Sequence, residues 1–193
     1  MSLEQNDENK KSIDKKVEIK EGNSKKNSNS KDLTVDDLQS KTGVPVARQK
    51  LMARGAWRGP SSSGGCPKFE TWPNNPQFLL KSSAATEVTI TLAYSGAEKL
   101  PIGFVVMLGE GSSRKTKLRG KDDIQQKTNW KRVTSVSSTV ALQPNQPYIV
   151  LPCTFDPGLE GEFELTAAAD AALELTPLPD APPVAPVSSS AAN

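Results

Sequence analysis

Two thiols, a run of cations and an adjacent pair of acids are the residues of this chain whose chemistry asks for a reading first. Cys66 and Cys153 are the only cysteines, and the sequence contains no histidine. A thiolate nucleophile needs a base to draw off its proton, so the chain has no partner for a cysteine-based catalytic pair. Two widely spaced cysteines without histidine also give no ligand set for zinc. Cys153 lies in an apolar stretch, where a small buried thiol is the expected role. Asp122 and Asp123, beside Lys121, offer too few of the about six to eight oxygens that calcium takes. The residues point to a protein that is not an enzyme and needs no metal or cofactor.

The cations are the sharpest candidate for binding. Between 109 and 133, Arg114, Lys115, Lys117, Arg119, Lys121, Lys127, Lys131 and Arg132 outnumber Glu110, Asp122 and Asp123, eight to three. Such a cluster suits an acidic protein surface or anionic lipid headgroups, with about 1 kcal/mol per cation at a charged membrane and strong salt screening. All 24 Lys and Arg lie at or before Arg132, within a net charge of only +2. This asymmetry argues for local electrostatic partners and not for nucleic acid. As an exposed excursion, the loop is expected to contribute little to stability. Trp130 at its end is expected to pack on the domain, and Glu160, Glu162 and Glu164 to form a solvated outward face.

The elements that position these residues follow from patterning. Hydrophobic residues make up 35% of the chain, below the ~45–50% of globular domains, which implies a core of roughly 110 residues with polar flanks. Residues 1–32 read as a disordered polar tail, and 177–193 as a Pro/Ala/Ser-rich extended tail. Residues 33–63 read as a short helix, capped by Thr34, then a loop and a strand near 48–55, or as a linker. Residues 64–176 read as the sandwich, with the pattern turning to period two from Phe69. Val88, Ile90, Leu92 and Tyr94 share one strand face, and 102–108 is a continuous apolar run suited to a strand buried on both sides. Phe163 and Leu165 alternate toward the same side. The pattern gives an all-β antiparallel sandwich of seven to eight strands with disordered tails. A polar start and the lack of an apolar run of about 20 residues imply neither signal peptide nor membrane span, hence a cytoplasmic protein with reduced thiols.

Three blocks resemble a known family. Gly64-Gly65-Cys66, then Trp72, Asn75, Pro76, Gln77 and Phe78, followed by Ile102-Gly103-Phe104, and finally Thr154, Phe155, Pro157, Glu160, Gly161, Glu162 and Phe163, are similar to the β-sandwich that follows the protease core in calpains, domain III of the large subunit. The likeness covers roughly 57–168, and the protease core is not part of it. It implies a non-catalytic module, and the family's sandwiches are described as sites of calcium-dependent phospholipid contact. The basic 109–133 loop here departs from the acidic one of several members. The function expected is recognition of an acidic protein surface or anionic phospholipid through that loop, within a larger complex. A structural or scaffolding subunit of a cytosolic or cytoskeletal assembly is the alternative. Separately, Thr42-Gly43-Val44-Pro45 through Gln49-Lys50-Leu51-Met52 and Gly55 resembles the centre of ubiquitin-like domains, which would make the chain an adaptor presenting Met52.

Overall fold

Strands that alternate apolar and polar residues bury one face only when a second sheet covers it, and this requirement shapes the molecule. A computed structural model describes residues 47–180. The 1–32 tail, the Thr34-capped helix, the Thr42–Pro45 part of the ubiquitin-like likeness and residues 181–193 lie outside the described residues. The strands are β1 (Gln49–Trp57), β2 (Phe78–Ser82), β3 (Thr86–Tyr94), β4 (Pro101–Leu108), β5 (Ile124–Lys127), β6 (Lys131–Arg132), β7 (Ser135–Leu142), β8 (Tyr148–Thr154), β9 (Gly161–Ala169) and β10 (Leu173–Pro177). One sheet has the order β1-β9-β3-β7. The other runs β10-β2-β8-β4-β5, and β6 also pairs with β4. Every pairing is antiparallel. The fold is the antiparallel β-sandwich that the alternation implies.

Between the sheets lie Val88, Ile90 and Leu92 of β3, Phe163 and Leu165 of β9, and Ile102, Phe104 and Val106 of β4. The continuous apolar run of β4 has its explanation on the other side. Val105 and Met107 of β4, with Ile149 and Leu151 of β8, enter a second, smaller core outside the sheet, with Trp72 and Leu178 buried among them and Leu118, Ile124 and Trp130 packed against it. The sheet that carries β4 is thus covered on both faces, as strands without polar alternation require.

Pro152 sits inside β8, a central strand, where a missing N–H is normally excluded. Its place is permitted because β2 pairs only with Tyr148, Ile149 and Val150. Beyond them β8 has no β2 neighbour, and the Pro152 carbonyl accepts the Trp57 indole N–H at 3.2 Å.

Two differences from the sequence reading concern boundaries. The strand set apart in the 33–63 segment is β1, which pairs with β9 from Gln49↔Ala169 to Trp57↔Gly161. The sandwich therefore begins at Gln49, because Trp57 is a core residue with no exposed surface. At the other end β10 runs to Pro177 and Leu178 is buried, so 177 and 178 are part of the sandwich and not of a tail. The pattern also missed β5 and β6, and began β7 at Thr139 instead of Ser135. These are polar strands on an edge, which bury little and so show little alternation.

Candidate functional site

The opening and closing sequence blocks meet in space. Asn75, fully buried, accepts the Gly64 N–H at 3.1 Å and donates to the Gly65 and Trp72 carbonyls at 2.8 and 2.9 Å. Gly65 has φ +71, and a Cβ there would lie 2.7 Å from the Pro157 nitrogen. The Cys66 N–H donates to the Phe155 carbonyl at 3.0 Å, and the Gly158 N–H to the Ser63 carbonyl at 2.9 Å. Glycine at 65 is therefore required by both conformation and closeness. Pro76 follows Asn75 and leads into β2, whose Phe78 meets Phe163 edge-on at 6.1 Å. Phe104 is buried in β4. These signature residues build the sandwich. Glu160 accepts the Gly59 N–H at 2.7 Å, just before Gly161 opens β9, while Glu162 and Glu164 pair with Arg58 and Arg54 at 2.9 and 3.6 Å. The outward acids thus tie β9 to β1 instead of standing alone in solvent.

The basic loop divides into two kinds of cation. Arg114 turns inward and donates to the carbonyls of Pro73 and Asn75 at 2.7 Å each, and to Pro179 at 3.2 Å. Burial lowers its pKa, with nearby Asp180 opposing. Lys115 is buried. Its ammonium meets the Asp123 carboxylate and the Leu108 carbonyl, each at 2.9 Å. Its backbone is held on both sides by Gln77, which accepts the Lys115 N–H and donates to its carbonyl at 2.8 Å. Asp123 also accepts the Arg119 N–H at 2.6 Å. That backbone bond, then the Lys115 ammonium, holds the Asp123 carboxyl below its ordinary range against the opposing pull of burial. The 109–123 segment is thus a lid clamped over the outer core, with Leu118 beneath it, and not a free excursion. Two of the eight candidate cations are fastenings of that lid.

Lys117, Arg119, Lys121, Lys127, Lys131 and Arg132 are exposed. β5 pairs with β4 at Val105–Met107 and β6 with Pro101 and Ile102, so these strands lie along the same edge of the sheet. At about 3.3 Å per residue this edge measures roughly 20 Å. Lys127 faces the Val105 position, Lys131 Ile102 and Arg132 Pro101. Exposed Lys99, which the sequence reading passed over, joins them: its carbonyl accepts an Arg132 N–H at 3.4 Å. Its signal was a position directly before an apolar strand. Among the described residues, of the six loop and strand cations only Arg119 is engaged by an acid side chain, Glu110, at 2.8 Å. A shallow concavity of about 400 Å³ beside them is lined in part by Ser113, Thr116, Lys117 and Arg119. The arrangement can attract an extended anionic surface, without the convergence of donors that would enclose one small anion.

Other chemistry finds no support here. Cys66 and Cys153 are buried and unpaired, and burial pushes the Cys153 thiol up to about 12, with the Trp130 indole N–H working the other way. Such a thiol is inert. Trp130 packs on the outer core, with the Phe155 ring edge-on at 6.1 Å. Among the described residues no group of three or more His, Cys, Asp or Glu is placed to hold a metal, and no helix is long and apolar enough to cross a membrane.

Comparison with known proteins gives a consistent pattern. The family model described as calpain large subunit, domain III, matches residues 53–167. Serine/threonine-protein kinase 4 homolog B of Dictyostelium discoideum is 32% identical over 130 residues, covering 63% of this chain and 12% of that protein. Putative calpain-like cysteine protease A of the same organism is 27% identical over 136 residues, 63% of this chain and 20% of its own. Calpain-like protease palB/RIM13 of Aspergillus oryzae is 29% identical over 126 residues, 65% of this chain and 14% of its own. The chain matches at most a fifth of the length of these relatives.

Proposed function

The chain belongs to the calpain large subunit domain III family, and from that premise we propose that it is a non-catalytic recognition module whose cationic edge docks an acidic protein surface within a larger cytoplasmic assembly. The observation that carries this reading is the edge itself: Lys121, Lys127, Lys131 and Arg132 are exposed and form no ion pair among the described residues. The names of the relatives support it, because a module common to a kinase homologue and to calpain-like proteases suits recognition better than one fixed chemistry. A protein surface is favoured over a lipid bilayer because the only exposed large hydrophobic among the described residues, Met52, lies on the opposite edge. The cationic edge therefore has no apolar group to insert beside the headgroups.

The test compares wild type with a variant in which Lys121, Lys127, Lys131 and Arg132 are all changed to Glu. Fluorescent oligoglutamate and vesicles containing phosphatidylserine serve as separate probes. Binding of oligoglutamate that weakens steeply with salt and falls at least tenfold in the variant is the expected result. Binding of both probes at equal strength by wild type and variant would reject the cationic edge. Vesicle binding lost in the variant, with oligoglutamate ignored, would transfer the function to anionic lipid.

A further inference from the structure

Strand β1 ends its sheet, and its far side has no strand partner among the described residues. The N–H and C=O of a β residue point to the same side of the strand, and that side alternates from one residue to the next. The Ser62 hydroxyl, outside the sheet, donates to the Ala56 carbonyl at 3.3 Å and accepts the Arg58 N–H at 2.8 Å. By alternation the polar backbone groups of Lys50, Met52 and Arg54 face outward too, and no backbone partner takes them among the described residues. A row of open donors and acceptors of this kind is a template for one more strand.

The side chains on the same stretch say what kind of strand fits. Arg48, Lys50, Met52 and Arg54 are exposed, Met52 at 54%. Arg54 has Glu164 at 3.6 Å, while Arg48 and Lys50 have no ion pair among the described residues. Beyond the edge, β1 approaches β10 of the other sheet. Gln49 closes one end of the seam, its side-chain oxygen accepting the Leu173 N–H at 2.5 Å. The other end opens into a groove of about 540 Å³ lined by Gly55, Ala56, Phe78, Pro177 and Leu178 among others. The opposite seam is bridged, Gln126 donating to the Ser138 hydroxyl and the Thr139 carbonyl at 2.6 and 3.2 Å. Two copies of this chain pairing through β1 would set like charges against each other, which disfavours a homodimer.

We propose that the open edge of β1 accepts an extended acidic segment of a partner protein as an added strand, with acidic side chains beside Lys50 and Arg54 and an apolar one between them against Met52. This site is separate from the cationic edge formed by β5 and β6, and it stands or falls without it. The two edges would let one module hold two partners at once.

The probe is the capped peptide Glu-Thr-Val-Thr-Glu, added to the full isotope-labelled chain while amide shifts are followed by NMR. Shifts at Lys50, Met52 and Arg54 are expected, and methylation of the peptide's Val nitrogen should abolish them. Met52→Pro removes a donor only on the open side, so the protein should stay folded and lose the peptide. Ala53→Pro removes one on the β9 side and should unfold the sheet edge. Lys50→Glu, which touches no ladder bond, should weaken binding about tenfold. Charge reversal on the β5 and β6 edge should change nothing here. Shifts centred on Lys127, Lys131 and Arg132, or unaltered binding by Lys50→Glu, would overturn the proposal. So would Lys50, Met52 and Arg54 amides that exchange with solvent as slowly as those of Leu51 and Ala53 in the free protein, since the edge would then already hold a segment of its own chain.

Discussion

At the scale of single residues, contact geometry separates side chains that hold the fold from those free to bind. Gly55 lies opposite Phe163 across the β1–β9 pair, and a Cβ at 55 would fall within 2.4 Å of the Phe163 ring. That ring cannot swing aside, because Trp57 stacks at 4.6 Å and Phe78 meets it at 6.1 Å. Gly55→Ala should cost about 1–3 kcal/mol by overpacking, and Phe163→Ala about 3–5 kcal/mol by leaving a cavity. In the double variant the new methyl enters the space the ring vacated, so the two costs should fall short of adding in denaturant titrations. The Lys115–Asp123 pair allows a second test at this scale. The Asp123 pKa is depressed in the folded state, so its stabilisation is present above the unfolded value of about 4 and lost as pH falls through the folded value. Asp123→Asn should flatten the fall in thermal midpoint as pH drops below about 4, and should lower the midpoint at neutral pH. A variant as acid-sensitive as wild type would show that the pair does not fasten the lid.

At the scale of elements, what could be read from the sequence was what burial imposes. The alternation of Val88, Ile90 and Leu92 and the unbroken run of β4 placed both strands because a buried face leaves a periodic trace. The opening and closing blocks were legible as a pair, although only the structure gives their reason: Asn75, Gly65 and Pro157 make one contact region. The lid at 109–123 was not legible. Its two inward cations differ from the outward ones only by their partners, Pro73, Asn75 and Gln77 some 40 residues away and Leu108 and Asp123 at the loop's own ends, and a charged residue reads as solvent-facing until such partners are known. Exchanging Arg114 and Lys115 for Glu therefore tests the fold and not the binding site. It should detach the lid and expose Val105, Met107 and Ile149, visible as faster hydrogen exchange in β4 and β8. Exchanging Lys127 and Lys131 for Glu should leave that exchange unchanged. Asn75→Ala strands the Gly64 N–H and the Gly65 carbonyl, at about 1–3 kcal/mol for each buried group left unpaired.

At the scale of the whole molecule, the question is how much chain is needed to close the sandwich. The sequence motifs and strand pattern together start the domain at 64 and end it at 176. The first boundary fails because β1 is the only neighbour of β9 on one side, and because Trp57 is entirely buried between the sheets. Without β1, Phe163 loses its stacking partner, Pro152 loses the donor to its carbonyl, and the inner faces of β9 and β2 meet water along one seam. Loss of a buried Trp or Phe side chain by itself costs about 3–5 kcal/mol, and a domain of this size has about 5–15 kcal/mol in total. The second boundary fails more gently, since Leu178 covers part of the outer core and its N–H bonds the Gln77 carbonyl at 2.8 Å. A polypeptide spanning 47–180 should thus unfold in one cooperative transition with the same midpoint as the full chain. One spanning 64–177 should give collapsed spectral dispersion, bind hydrophobic dyes and lack a cooperative transition. Adding a separate peptide covering 47–62 should restore part of the fold, because the ladder it completes, Gln49↔Ala169 to Trp57↔Gly161, is continuous and needs no covalent link to form. Cooperative unfolding of the 64–177 polypeptide by itself would show that β1 rests on the sandwich as an accessory and that the core closes without Trp57.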